Sequence, residues 1–214
     1  LTEAERLYRE ALAIKREIGD QKGEAWLLYL LGDIASENGN LDQKHRCYTE
    51  AERLYREVLA IKRETGDREG EATTLDHLGD MARTRGDLTE AERLYREVLA
   101  IKREIGDREG EATTLDRLVR IAKKRGDLTE AERLHREALA IKREIGDRED
   151  EATTLYHLGD IVKDRGDLAE AERLYRESLT IWIETGDRDG EAWLLDHLGN
   201  IAKTRGDLAE AERL

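Results

Sequence analysis

The 214-residue chain contains no proline, no phenylalanine, one cysteine and one methionine, and only 5% of it is aromatic. Each shortage removes an option. Without proline the strongest helix breaker is missing, and glycine is left to punctuate the chain. A single thiol, Cys47, can form neither an intrachain disulfide nor a cysteine-rich metal site. No window approaches the roughly 18 consecutive apolar residues of a membrane-crossing helix. The opening LTEAERLYRE lacks the basic, apolar, small-residue succession of a secretory signal. Positive charge is also short: 37 Lys and Arg face 50 Asp and Glu, a formal net charge of −13. That balance disfavours nucleic acid and anionic membranes as partners, and with the lone thiol it suits a reducing, cytoplasmic setting.

Catalytic chemistry is equally thin. GDREGEA lacks the Lys-Ser/Thr of a nucleotide cradle, and no GxSxG elbow occurs around Ser36 or Ser178. Carboxylates are so abundant that pairing any two as acid and base is arbitrary. His77, His157 and His197 fall on different helix pairs, about 10 Å apart per pair, too far to share an ion whose ligand bonds are about 2 Å. The expectation is a protein that is not an enzyme and holds no cofactor or metal.

What the chain has is repetition. LTEAERL or a near variant begins at Leu1, Leu88, Leu128, Leu168 and Leu208, TEAERLY also at Thr49, and from Leu88 onward the period is 40 residues. Within one repeat, Leu88, Ala91, Leu94, Tyr95, Val98, Leu99 and Ile105 recur at three- and four-residue steps, on one stripe of a helix. Asp87 is placed to cap its start, with Glu90 three residues later, and Gly106 to end it in the left-handed conformation. A second pattern, Glu111 to Arg125, puts Ala112, Leu115, Leu118, Ile121 and Ala122 on its inner face. Neither helix can bury its apolar face alone, whereas stacked copies can. The expected fold is all-α, a solenoid of antiparallel helix pairs.

These residues resemble the tetratricopeptide repeat family, whose signature runs W-x2-L-G-x2-Y, A-x3-F, P. One repeat gives Leu75, Leu78-Gly79 and Ala82, then Ala91, Tyr95 and Val98; another gives Leu155, Leu158-Gly159 and Val162, then Ala171, Tyr175 and Ser178. The closing proline is missing, and the repeat is longer than the family's usual 34 residues. This longer form looks like repeats of scaffold proteins and of sensor arms in signalling ATPases. The resemblance implies a right-handed superhelical solenoid over residues 1–214: helix 1–18, then pairs at 23–65, 70–105, 110–145, 150–185 and 190–214, the last helix truncated.

One repeat breaks the period. LDQKHRCYTEAERLYREVLAIKRETGD, from Leu41, carries a seven-residue excess near 41–47 over LTEAERLYREVLAIKREIGD, from Leu88. Either Tyr48 or Tyr55 can take the place of Tyr95, because seven residues make nearly two turns and drift by only about 20°. With no turn residue before Glu64, one helix over 41–64 is expected, about 10 Å longer than its siblings. It should outgrow its neighbours and leave some of Tyr48, Tyr55 and Val58 without their usual partners. Lys44, where other copies carry Ala4 and Ala91, should loosen the packing, and Cys47 reads as a partly buried structural residue.

In the family the first helix of each pair lines a concave, peptide-binding groove. The resemblance implies the same for helices near 24–38, 71–85, 111–125, 151–165 and 191–205. Trp26 and Trp193 replace threonine there and are candidate anchors, Tyr29 and Tyr156 share a register, and Arg83, Lys123, Lys163 and Lys203 form a basic rail. LDRLVRIAKKRGD departs furthest: Arg117 stands for the repeated His, Val119 for Gly and Arg120 for Asp, with Lys124 beside Lys123. Arginine binds carboxylate bidentately, so this segment is the best place to grip a carboxylate-bearing peptide. The family's carboxylate-clamp subtype is not expected, because the positions of its Lys and Asn hold Asp or Tyr.

The chain opens in a second-type helix and stops within another, neither with a polar cap. Exposed apolar stripes are therefore expected at both ends, with Leu1, Leu7, Tyr8, Leu208 and Leu214 as candidates for contact with another copy; Tyr48 and Tyr55 join them on the alternative reading of the long helix as a docking site or a splice at which another copy packs. Three roles follow: a scaffold binding a protein or peptide partner in its groove, a structural module stacking on itself as a homo-oligomer, or the sensor arm of a larger ATPase.

Overall fold

A computed structural model describes residues 3–206; Leu1, Leu208, Leu214 and the truncated final helix lie outside them. The described residues form ten α-helices and no strand. In order they are α1 (Glu3–Glu17), α2 (Gln21–Glu37), α3 (Leu41–Thr65), α4 (Arg68–Thr84) and α5 (Leu88–Ile105), then α6 (Arg108–Arg125), α7 (Leu128–Ile145), α8 (Arg148–Asp164), α9 (Leu168–Thr185) and α10 (Arg188–Arg205). None is long and apolar enough to cross a membrane.

A two-letter code, Gly-Asp, makes the turns. At α3's end Gly66 adopts φ 69°, in the left-handed region that costs side-chain-bearing residues about 1–2 kcal/mol. Asp67 then caps α4, accepting from the Gly70 N–H at 2.8 Å. The same succession recurs at Gly126-Asp127, where the Asp127 carboxylate accepts from the Glu130 N–H at 3.0 Å. These short connections fold consecutive helices back on each other. The tightest hairpins are α2/α3, α4/α5, α6/α7 and α8/α9.

The chain divides into two compact units, Leu1–Ile105 and Gly106–Leu214. In each, a tyrosine of the second helix lies against a helical glycine of the first. A Cβ added at Gly79 would fall 2.7 Å from Tyr95 Cε1, so only glycine admits the ring. The Tyr95 hydroxyl donates to Asp80 at 2.8 Å, and Tyr175, packed on Gly159, donates to Asp160 at 2.6 Å. Successive pairs are tied by buried glutamates. Glu71 receives Arg63 at 2.8 Å and Arg68 at 2.5 Å, and Glu151 receives Arg143 at 2.9 Å and Arg148 at 2.7 Å. Burial alone would raise Glu71's pKa, but the two guanidiniums more than offset it and hold the carboxyl below its ordinary value.

α3 has 25 residues against 18 in α5, α7 and α9. Tyr48 and Tyr55 do not lose their partners as the sequence reading anticipated; they divide one job between them. In α9 a single Tyr175 packs back on Gly159 of α8 and forward on His197 of α10, with ring centroids 5.4 Å apart. In α3, Tyr48 packs back on Gly32 and donates to Asp33, while Tyr55, two turns later, stacks forward on His77 at 5.0 Å. Both rings are buried, as is Val58. The next pair, α4/α5, thus docks about 10 Å further along its predecessor. Two groups register the offset. The Tyr55 hydroxyl is buried with no hydrogen-bond partner, its aspartate being two turns behind. Ile61 is 50% exposed, whereas its counterparts Ile101 and Ile141 are 2% and 3% exposed. Lys44 keeps its place by donating to Ser36 Oγ at 3.0 Å, its ammonium 5.8 Å from the Tyr48 ring centre.

Candidate functional site

In the Gly106–Leu214 unit, the α6/α7 hairpin breaks the tyrosine-on-glycine rule with a concerted exchange. Val119 occupies the glycine position, His135 the tyrosine position and Arg120 that of the aspartate that accepts the tyrosine hydroxyl. The smaller imidazole makes room for the valine, and both are buried. With no phenol to receive, the aspartate position is free to become cationic.

A cavity of about 330 Å³ lies between α6, α7 and α8, with all three exchanged residues in its lining. Arg117, Arg120 and Lys123 line it from α6, His135 and Lys142 from α7, and Asp150, Thr154 and His157 from α8. With Asp116 the walls hold four cations and two carboxylates, an excess of two positive charges in a chain of net charge −13.

Both carboxylates face one cation. Lys142, 3% exposed, places Nζ 2.6 Å from Asp116, 2.9 Å from Thr154 Oγ1 and 3.8 Å from Asp150. Burial raises the Asp116 pKa, opposed by the Lys142 hydrogen bond. On the other side Arg120 and Lys123 are exposed and, among the described residues, have no hydrogen bond or ion pair. The contrast with the sister helices is local. Arg83 pairs with Asp80 and Lys163 with Asp160, each at 3.1 Å across three residues, whereas Lys123 finds Arg120 there.

His135 forms part of the wall at 4% exposure, and neither ring nitrogen has a partner. Its ring stacks on His157 at 5.8 Å. Burial, reinforced by His157, Lys123 and Lys142, pushes its pKa down to about 3, and burial with Lys123 lowers that of His157. Both rings are neutral at pH 7.

Next to His157, Tyr156 begins an aromatic shelf. Its ring lies 6.1 Å from Trp193 and 5.3 Å from His197, both edge-on, and Trp193 stacks on His197 at 6.0 Å while remaining 58% exposed. Burial and the Asp160 hydrogen bond push the Tyr156 pKa up to about 12. Lys163 is drawn to Asp160 and lies over the Tyr175 ring. Lys124 is exposed but does not line the cavity, and Lys203 is exposed on α10. In the Leu1–Ile105 unit, Trp26, 43% exposed, stacks on Tyr29 at 5.7 Å and lies 5.4 Å from His77; the Tyr29 hydroxyl meets Thr84 at 3.2 Å.

Of the sequence candidates, the structure brings together Arg117, Arg120 and Lys123. It adds His135, Lys142, Asp150 and Thr154, which sequence reasoning missed. One signal was available: His135 interrupts the series Tyr48, Tyr95, Tyr175 in the hairpin where Val119 interrupts the glycines. Among the self-association candidates Tyr48 and Tyr55 are spent inside the fold, Tyr8 is half-buried, and Leu7 is exposed on α1 along with Ile14, as is Ile18 just beyond its end. Cys47 is half-buried beside Arg9, Arg16 and Arg46, its thiol pushed up by burial. Ser178 donates to the Ala152 carbonyl at 2.7 Å.

The tetratricopeptide repeat profile matches residues 43–104, 77–144, 110–184 and 150–214. No curated protein sequence is significantly similar to the chain. Among solved structures, BtubC (BKLC) from P. vanneervenii superposes with a TM-score of 0.73 at 20% identity, covering 100% of this chain and 88% of that one. A protein of Podosopora anserina described as a kinesin light chain with nearly identical TPR-like repeats gives 0.64 at 20% identity, covering 87% and 89%. A signal transduction ATPase with a tetratricopeptide repeat sensor from Pyrococcus horikoshii gives 0.63 at 18% identity over 96% of this chain but 38% of its own. At these identities the likeness is one of fold.

Proposed function

Because the chain belongs to the tetratricopeptide repeat family, whose members are in general protein-interaction scaffolds, we propose that it is a non-enzymatic module binding a peptide or partner helix along the first helices of its repeats. In this reading α6 and α8 supply the grip, an acidic side chain entering the α6–α8 cavity while an apolar one rests on Tyr156 and Trp193. The observation that carries it is the cavity's excess of two positive charges, with Arg120 and Lys123 unpaired, in an otherwise acidic chain.

The test is selection from an unbiased peptide-display library, comparing the native chain with an Arg117→Glu, Arg120→Glu, Lys123→Glu variant. Enrichment of an acidic motif that the variant loses supports the reading. Absence of enrichment for either protein, or equal enrichment for both, overturns it.

A further inference from the structure

The peptide-binding reading leaves one feature of the cavity unused. His135 is buried with both nitrogens unpartnered, although interior polar groups almost always find a hydrogen-bond partner. Being neutral, its imidazole offers one N–H donor and one acceptor. It forms part of a wall that also carries Arg117, Arg120 and Lys123.

We propose that this cavity receives a phosphorylated side chain of the bound peptide, a phosphoserine or phosphothreonine, held as a dianion by Arg117, Arg120 and Lys123 against the His135 ring. The inference rests on the peptide-binding reading and narrows it from acidic to phosphorylated.

Three observations favour phosphate over carboxylate. The first is charge: a phosphate monoester carries about −1.5 to −2 near neutrality, which matches the two cations, Arg120 and Lys123, that the lining carboxylates leave unpaired, whereas a carboxylate would neutralise half of that. The second is donor number. Besides Lys142, which Asp116 and Asp150 hold, the guanidiniums of Arg117 and Arg120 and the Lys123 ammonium line the cavity from α6 and the His135 ring from α7; a phosphate presents three strong acceptor oxygens and a carboxylate two. The third is that the nearby carboxylates are committed. Asp116 and Asp150 both lie on Lys142, at 2.6 and 3.8 Å, which leaves Arg120 and Lys123 for the ligand.

The experiment uses the full chain and a peptide library made in three forms, with serine, phosphoserine or glutamate at one fixed position. The phosphoserine forms of the selected sequences should bind at least about 10-fold tighter than their glutamate forms, as charge-assisted multidentate contacts predict. Arg120→Gln with Lys123→Gln should reduce that preference below about threefold without changing the circular dichroism, since both side chains are exposed. His135→Phe keeps a ring in place and removes both nitrogens, and it should lower phosphoserine binding several-fold and glutamate binding by less, so that the preference narrows. Equal affinity for phosphoserine and glutamate overturns the phosphate inference and leaves the peptide reading standing. Binding of none of the three forms removes both. A phosphoserine preference unaffected by the Arg120/Lys123 variant puts the phosphate elsewhere and also overturns the assignment.

Discussion

Gly79→Val should destabilise the Leu1–Ile105 unit, and combining it with Tyr95→His should recover much of the loss. A Cβ at position 79 would lie 2.7 Å from Tyr95 Cε1 and 2.9 Å from Cδ1, whereas carbons rest about 3.5–4.0 Å apart. The ring is fully buried, so it must retreat about 1 Å into packed neighbours, an overpacking that costs about 1–3 kcal/mol. Retreat also loosens the 2.8 Å bond from the Tyr95 hydroxyl to Asp80, and bonds to charged acceptors contribute about 1.5–3 kcal/mol. Valine's better helix propensity returns only about 0.4 kcal/mol. The expected net loss is about 3 kcal/mol. Tyr95→His alone leaves a void and should cost about 2–3 kcal/mol. The pair together should cost about 2 kcal/mol less than the sum of the two, because each change accommodates the other, as Val119 and His135 do in α6/α7. Stacked repeats need not unfold as one, so the assay is denaturant-dependent hydrogen exchange read on α4 and α5. Additivity within about 0.5 kcal/mol would refute the claim that glycine–tyrosine and valine–histidine are alternative solutions to one packing problem.

Other expectations are more quickly checked. Ile61→Ala should change stability by less than about 0.5 kcal/mol and Ile141→Ala should cost about 2–4 kcal/mol, since one side chain is half exposed and the other buried; equal losses in chemical denaturation would contradict the offset along α3. Lys142→Met removes the cation that Asp116 is bonded to and should cost about 1–3 kcal/mol, less than a fully buried pair because Asp116 is partly exposed, and most of it should be restored by adding Asp116→Leu; a double variant no better than the single would count against the pairing. Acid should weaken the Gly106–Leu214 unit through His135. Its native pKa of about 3 lies below the ordinary 6.5 of the unfolded chain, so the unfolded state binds more protons in between. Stability is full above pH 6.5 and lost progressively towards pH 3, with about 2 kcal/mol gone at pH 5. His135→Phe should flatten that slope between pH 6.5 and 5, and an unchanged slope in urea titrations would show that the ring is not buried neutral.

Much of this protein was determined by its sequence alone. The 40-residue period, the Gly-Asp punctuation and the 3.6-residue apolar stripes specify capped helices that can bury their faces only by stacking, and these are local properties. Arg117 and Arg120 were also legible, because near-identical repeats make any departure conspicuous, and Lys123 was legible as a member of the repeated basic rail. The tertiary structure decided what identical words mean. LAIKRE recurs in α3, α5 and α7, yet Lys62 pairs with Asp67, Lys102 with Glu69 and Lys142, buried, with Asp116. Ile61 is likewise half exposed, whereas Ile101 and Ile141 are buried. A side chain's environment is set by the residues its neighbouring helices bring against it, and a seven-residue slip along α3, or a histidine where a tyrosine usually stands, changes those neighbours while leaving the local sequence the same.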